Sequence, residues 1–173
     1  MMERKEKCPK ILDIGSGHHP RVDATHLCDL YVKSNKERGG PLLINDRSFI
    51  RCDIQHLPFK ENQFVFAYAC HVLEHCVNPA LALAEITRVA RSGYIESPTW
   101  ISEYFYGWDF HKWVIHFQKG KFFFTKPRRQ KLLNMHYIYR HSILLRIIDC
   151  LLDCIFGWHY LRIIWNKSGE GIV

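Results

Sequence analysis

The feature that most constrains the fold is a short, mostly apolar segment, Ile11–Ile14, followed by two glycines one residue apart, Gly15 and Gly17. Such a run is typical of a buried strand that breaks into a tight turn. Glycine at the turn allows the backbone to approach a ligand closely. Glycine-rich turns are common, so this one indicates a nucleotide site only together with the segments that follow it.

Segments further along the chain alternate between predicted strands and their connections. Strands are predicted at residues 24–32, 48–54, 64–70 and 94–97. One clear helix precedes the last strand; Asn78 caps it, Pro79 opens it and Gly93 is expected to end it. This alternation favours an α/β fold with a Rossmann-like, mostly parallel sheet and flanking helices. In such a sheet, ligands bind at the carboxyl ends of the strands.

The pattern changes after Pro98. Residues 113–125 predict an antiparallel hairpin that folds about Gly120, and residues 128–165 are expected to be helical. The apolar stretch in this helical segment is too short and too charged to predict a membrane span. A chain of 173 residues, 47% of them hydrophobic, has room for one well-packed domain. We therefore predict an α/β domain over residues 1–130, hairpin included, and a helical extension over residues 131–166 packed on it.

Positive charge is concentrated in one part of the chain. The net charge is +7, and residues 112–146 contain nine Lys or Arg residues and no Asp or Glu. This segment predicts an anionic partner such as phosphate, nucleic acid or anionic lipid, or else a solvated basic face. No nucleic-acid-binding module is recognisable, so a small-molecule or lipid ligand is favoured over nucleic acid. Membrane association stays open, and nothing indicates an oligomeric state.

The first ten residues carry charges without the apolar core of a secretory signal, so a cytoplasmic location is expected. The seven cysteines are scattered and include no C-x-x-C pair. This spacing argues against both a disulfide framework and a zinc knuckle.

Several motifs occur in a fixed order along the first half of the chain. They are L-D-I-G-S-G at residues 12–17, an acid at Asp29, D-x-x-x-L-P-F at residues 53–59, V-L-E-H at residues 72–75 and E-I-x-R-V at residues 85–89. Together they resemble the class I S-adenosylmethionine-dependent methyltransferases, in the group of type 11 domains, over about residues 10–98. The chain also resembles a branch in which the first helix is nearly absent and a tryptophan-containing hairpin follows strand five. The resemblance implies methyl transfer with S-adenosylmethionine as the cofactor.

The resemblance also implies cofactor contacts for residues at the strand ends. Gly15 and Gly17 would lie against the methionine part of the cofactor, and Asp13 would hold the turn and the amino group. Asp29 would accept hydrogen bonds from both ribose hydroxyls, an arrangement that suits a carboxylate.

Further contacts are implied around the adenine ring and the sulfonium. Asp53 would accept from the adenine amine, with Ile54 against the ring. Cys70 and His71 would face the sulfonium and the methyl acceptor. The reagent is already activated and needs no dedicated base; if one acts, His71 and His111 are the candidates.

Two other site chemistries fit parts of these motifs. A nicotinamide site would need a third glycine where Pro20 stands. His71, Glu74 and His75 match the H-x-x-E-H zinc pattern, which requires all five residues in a regular helix. Here they directly follow a predicted buried strand, so no metal is predicted.

Two other functions remain open. The missing third glycine and the apolar C-terminal segment are compatible with a catalytically degenerate cofactor-binding or interaction module. Basic residues beside an apolar helix are compatible with a peripheral membrane methyltransferase that acts on a lipid or isoprenoid.

Overall fold

The computed structural model describes residues 8–35, 37–128, 142–157 and 159–168. At its centre is a sheet of six strands: β1 Ile11–Ile14, β2 His26–Asp29, β3 Ser48–Arg51, β4 Phe64–Cys70, β5 Ala90–Pro98 and β8 Tyr160–Asn166. Their order across the sheet is β3-β2-β1-β4-β5-β8. The first five strands are parallel, and β8 runs antiparallel to β5. The predicted Rossmann-like α/β fold is confirmed.

The other elements flank the sheet or follow it. The helices are α1 Pro79–Val89, α2 Trp100–Tyr106 and α3 Ile143–Phe156, and the strands β6 Val114–Gln118 and β7 Lys121–Thr125 form a separate hairpin. This hairpin agrees with the one predicted at residues 113–125. No helix in the described ranges is long and apolar enough to cross a membrane.

Helix α1 begins where the sequence predicts and ends earlier. The Asn78 side chain accepts a hydrogen bond from the backbone N–H of Leu81 at 3.1 Å, and Pro79 takes the first helical position. Ala82, Ile86 and Val89 bury one face. The helix ends at Val89, so the prediction that Gly93 ends it was wrong.

Gly93 instead lies inside β5, between two closely packed neighbours. A Cβ atom at this position would lie 2.4 Å from the carbonyl oxygen of Ala67 and 2.8 Å from Nε1 of Trp165. Glycine is therefore required by the close approach of strands β4 and β8, and not by a helix end.

The C-terminal part differs from the predicted helical segment. Helix α3 begins at its N-cap Ser142 and ends before Gly157, but residues 160–166 form strand β8. Ile163 and Trp165 are buried while Ile164 is 49% exposed, which is the period of a strand. The helical prediction for residues 160–165 was wrong, and β8 belongs to the same sheet as the first strands. Residues 129–141 of the predicted helix lie outside the described residues.

The connection from β1 to β2 contains turns and no helix between residues 15 and 25. The loop after β2 covers this turn instead. The backbone N–H of Leu43 donates to the carbonyl oxygen of Gly17 at 3.0 Å, and His18 packs on Gly39 and Gly40. The loop thus supplies cover at the place where a first helix would otherwise lie.

The chain leaves β1 toward β2 and β3, and later returns to β4 on the other side of β1. This arrangement opens a crevice at the carboxyl ends of β1 and β4, which is where parallel α/β sheets bind ligands.

The packing around Gly93 predicts a large effect of a small substitution. Gly93→Ala should lower the free energy of unfolding by about 3 kcal/mol, because the new methyl group must displace backbone or the Trp165 ring. Urea denaturation monitored by circular dichroism would measure the change. Gly120→Ala is the matched control, since Gly120 has a φ of +73° and no atom near its missing Cβ. Its cost should be only the backbone strain of about 1 kcal/mol. Equal costs at the two positions would contradict the packing explanation.

Candidate functional site

A cavity of about 840 Å³ opens at the carboxyl ends of the parallel strands. All nine residues that the sequence analysis assigns to a site line it: Asp13, Gly15, Gly17, Asp29, Asp53, Ile54, Cys70, His71 and His111. The structure therefore brings together residues that lie up to about a hundred positions apart in the chain.

The glycine turn forms the floor of the cavity. Gly15 and Gly17 have φ values of +68° and +53°, which favour glycine. The N–H of Gly15 donates to the carbonyl oxygen of Cys28 at 2.8 Å, which fixes the turn to β2. A Cβ atom on Gly15 would lie 2.4 Å from a methyl group of Val72. Both the backbone conformation and the neighbouring side chain thus require glycine at position 15.

Asp13 is buried beside this turn. One of its carboxylate oxygens accepts a hydrogen bond from the backbone N–H of Arg21 at 2.8 Å. Burial outweighs this bond and raises the pKa of Asp13 to about 6. Burial therefore makes the charge on this carboxylate costly, and a cationic ligand would stabilise it.

Asp29 is held from three sides. Its carboxylate accepts from the N–H of Gly17 at 3.1 Å and from the N–H of Tyr31 at 2.8 Å. Arg38, in the loop that covers the turn, places a guanidinium nitrogen 3.3 Å from the same carboxylate. Sequence reasoning missed Arg38, because one cation in a charged loop carries no signal of its partner.

Asp53 caps the single 3-10 turn Ile54–His56. Its carboxylate accepts from the backbone N–H of Gln55 at 2.9 Å and from the Gln55 side chain at 3.1 Å. The side-chain oxygen Oε1 of Gln55 in turn accepts from the backbone N–H of Asn78 at 2.7 Å. The carboxylate is therefore fixed at the cavity wall, next to the buried side chain of Ile54.

Cys70 ends β4 as a neutral thiol. Burial raises its pKa to about 11, although the Arg21 guanidinium donates to its sulfur at 3.2 Å. That guanidinium also lies over the rings of Tyr68 and Tyr94, with its central carbon 5.2 Å and 5.6 Å from the ring centroids. Arg21 is a second cation of the site that sequence reasoning missed.

His71 has a φ of +56° and lies between two acids. Its Nε2 atom is 3.2 Å from a Glu96 oxygen, and its Nδ1 atom is 3.5 Å from a Glu74 oxygen. Burial opposes the charged ring, but the two carboxylates outweigh it and raise the pKa of His71 to about 9. A protonated ring cannot accept a proton. His71 therefore fits a binding role at neutral pH, which departs from the expectation that it acts as a base.

Glu96 connects His71 to the C-terminal part of the structure. It also accepts from the Tyr94 hydroxyl, and its second oxygen lies 3.2 Å from Nε of Arg162 on β8. Arg162 is 3.3 Å from Asp153 of α3. Burial acts against ionisation of Glu96, but His71, Tyr94 and Arg162 together lower its pKa to about 2. A continuous row of charges thus runs from the cavity to α3.

His111 enters the cavity from the segment before the hairpin. Its ring is buried, and Nδ1 is hydrogen-bonded to the carboxylate of Glu103 on α2. Thr99 caps α2 by accepting from the N–H of Ser102 at 3.2 Å. Sequence reasoning missed this seven-residue helix, and with it the acid that orients His111.

Glu74 and His75 follow β4 in the 3-10 turn Leu73–His75. Glu74 is 1% exposed, and one oxygen accepts from the Ser97 hydroxyl at 2.8 Å. Burial opposes its ionisation, yet the neighbouring histidines lower its pKa. Because the turn is short and His71 precedes it, His71 and His75 do not share a regular helix face, as the H-x-x-E-H pattern would require.

The segment that carries these groups matches a known family. Residues 12–95, just under half of the chain, match the family model described as a methyltransferase domain. This stretch runs from β1 into β5, and the match agrees with the resemblance that its motifs carry. A comparison with curated proteins finds no match.

Solved structures with partial similarity include several methyltransferases. The YcgJ protein of Bacillus subtilis is 18% identical over 53% of this chain and 44% of its own, with a TM-score of 0.43. A SAM-dependent methyltransferase of Thermotoga maritima is 19% identical over 51% of this chain and 43% of its own, with a TM-score of 0.40. A methyltransferase of Mesorhizobium loti is 16% identical over 68% of this chain and 56% of its own, with a TM-score of 0.44. This chain thus covers less than two thirds of each of these proteins.

The raised pKa of Asp13 predicts a stability gain on neutralisation. The pKa of Asp13 is 3.8 in the unfolded chain and about 6 in the folded protein. Between these two pH values the folded state binds more protons, so the free energy of unfolding falls as the pH rises. Asp13→Asn should remove this loss and raise the unfolding free energy at pH 7 by up to about 3 kcal/mol. Urea titrations at pH 5 and pH 7 would measure both effects. Asp23→Asn, an exposed acid nearby, is the control, and an equal gain from it would contradict the role of burial.

Proposed function

We propose that this protein transfers a methyl group from S-adenosylmethionine to an acceptor that enters the cavity. The observation that carries the proposal is the convergence of the motif residues on one cavity within a methyltransferase domain. The cavity volume lies within the usual range of small-molecule and cofactor sites.

The residues present fit the cofactor. The glycine turn offers bare backbone to the methionine part, and the partly protonated Asp13 gains its charge beside an amino group. Asp29 has about four lone-pair positions, and three donors already point at it. Two ribose hydroxyls therefore require one donor to leave, and Arg38 has the longest of the three contacts. Cofactor entry should displace the Arg38 guanidinium from Asp29.

The bound cofactor supplies a methyl group already activated on a sulfonium, so the protein has to align the acceptor and exclude water. Asp29 and Asp53 would orient the nucleoside from two fixed positions. Cys70 and His71 would face the reacting end, with the Cys70 thiol uncharged. The sequence analysis names His71 and His111 as candidate bases. His111 is the better candidate, because Glu103 binds its Nδ1 atom and leaves Nε2 to accept a proton.

One observation favours the second candidate, a cofactor-binding or interaction module without turnover. Arg38 and Asp29 form an ion pair in which both side chains are about one-tenth exposed, at 10% and 11%. A cation at this position competes with ribose for the carboxylate. Binding measured together with turnover separates this candidate from the enzyme.

Replacement of Asp29 should abolish cofactor binding. Asp29→Ala removes the charged acceptor for two hydroxyls, and hydrogen bonds to charged groups contribute about 1.5–3 kcal/mol each, so affinity should fall by about 100-fold or more. Isothermal titration calorimetry with S-adenosylmethionine and its demethylated product would measure the loss. Glu61→Ala, an exposed acid outside the cavity lining, should bind like wild type.

Three results would change these conclusions. Full affinity in Asp29→Ala would show that the ribose assignment is wrong. Binding of neither compound by the wild type would overturn the methyltransferase proposal. Binding without methyl transfer to any of a panel of labelled small-molecule, lipid, protein and RNA fractions would favour the module.

A further inference from the structure

Three potential metal ligands meet beside the cavity, and two of them, His75 and His111, line it. Glu74, His75 and His111 each offer one ligand atom, and these atoms lie within 4.8 Å of one another. Glu74 and His111 are buried, and His75 is largely buried. The set differs from the H-x-x-E-H pattern in the sequence, since His71 is absent from it and His111 comes from a distant segment.

Backbone and side-chain hydrogen bonds hold the two segments together. The carbonyl oxygen of Glu74 accepts from the N–H of Lys112 at 2.7 Å and from the N–H of Trp113 at 3.2 Å. The carbonyl oxygens of His75 and Cys76 accept from the side chains of Lys112 at 2.6 Å and Trp113 at 3.0 Å. Four bonds therefore fix the residues on either side of the cluster before any ligand arrives.

Two of the potential ligands contain buried polar atoms without a hydrogen-bond partner in the described part of the chain. They are Oε1 of Glu74 and Nδ1 of His75. The nearest charged groups are Nδ1 of His71, 3.5 Å from the Glu74 oxygen, and an oxygen of Glu37, 3.4 Å from the His75 nitrogen. Neither contact has hydrogen-bond geometry. Buried polar atoms are rarely left in this state, because each one costs desolvation energy that a hydrogen bond would offset.

The outer contacts of the cluster match those of a metal site. Nδ1 of His111 is bonded to the Glu103 carboxylate, which leaves Nε2 with its lone pair. A metal ion bound to this nitrogen would exclude His111 as a proton acceptor, so the two roles of His111 are alternatives. Oε2 of Glu74 accepts from Ser97 Oγ, which leaves Oε1. Histidine ligands of metals characteristically donate their other nitrogen to a carboxylate in this way, and ligating carboxylates are themselves hydrogen-bonded.

We propose that Glu74, His75 and His111 bind a divalent transition-metal ion through one carboxylate oxygen and two imidazole nitrogens. Two nitrogen ligands favour Zn²⁺, Fe²⁺ or Co²⁺ over Mg²⁺ or Ca²⁺, which prefer oxygen. Ligands of tetrahedral Zn²⁺ at about 2.0–2.1 Å lie roughly 3.3 Å apart, so the cluster contracts on binding. This proposal reverses the sequence-based prediction of no metal, which considered only neighbouring residues.

Three protein ligands leave at least one coordination position, and two of them, His75 and His111, line the same cavity as His71 and Cys70. An oxygen of the methyl acceptor is the ligand class that fits this position, since hydroxyl and carboxylate oxygens bind such ions. This assignment of the acceptor rests on the proposed function, whereas the metal site itself does not.

The metal site is testable without cofactor or acceptor. The full chain, treated with EDTA and dialysed, would be titrated with Zn²⁺ by calorimetry and with Co²⁺ by visible absorption, which reports the coordination environment. One equivalent of each ion should bind, and Zn²⁺ should displace Co²⁺. Glu74→Gln, His75→Asn and His111→Asn should each weaken binding by at least 100-fold. Glu103→Gln, which leaves all three ligands in place, should weaken it about 10- to 100-fold.

His116→Ala is the matched control, because His116 lies on the nearby hairpin and is bonded to Thr125 outside the cluster. It should bind like wild type. Circular dichroism would confirm folding of each variant, and Glu103→Gln serves where a ligand variant does not fold. The proposal is overturned if the wild type binds neither ion, or if folded ligand variants bind as tightly as wild type. Because no cofactor is present, a failure of the methyltransferase proposal would leave this result unaffected.

Discussion

The close approach of the Gly15 backbone to Val72 is the constraint on which the rest of the site depends. It places the end of β1 directly against the segment that leaves β4, so the crevice between the two strands has a fixed width. The same turn is tied to β2 through the carbonyl oxygen of Cys28 and to Asp29 through the N–H of Gly17. Three strand ends are therefore positioned by one short stretch of backbone, and the acids at those ends face one cavity.

The loop after β2 compensates for the short β1–β2 connection. In a longer connection, a helix would cover the glycine turn and offer N–H groups to a ligand. Here Leu43 bonds to Gly17, His18 packs on two glycines and Arg38 reaches Asp29. These contacts are fewer and more polar than helix packing, so this side of the cavity is held mainly by hydrogen bonds and charge.

Local signals in the sequence predicted most of the sheet and the start of α1. Strand β4 is a continuous apolar run. Asn78 and Pro79 mark the start of α1, because the Asn78 side chain caps the first turn and proline suits the first helical position. Gly93 and β8 were misjudged because both depend on a partner far away in the chain: Gly93 makes room for Trp165, and β8 is recognisable only once β5 is there to pair with it. The same limit applies to the site, where the motif residues were found but Arg38, Arg21 and Glu103 were not.

The row of charges from His71 through Glu96 and Arg162 to Asp153 has a thermodynamic consequence for α3. Each charged residue in this row stabilises the next one, so the position of α3 and the protonation of His71 depend on each other. By thermodynamic linkage, each of the two affects the other by the same free energy. The exposed side of α3 carries Ile143, Leu144 and Leu151. Any contact that shifts this helix relative to β8 would alter the proton affinity at the cavity, and a ligand that changes the charge of His71 would alter the hold on the helix. The exposed side of α3 can in this way influence the protonation of His71, although about three side chains separate it from the cavity.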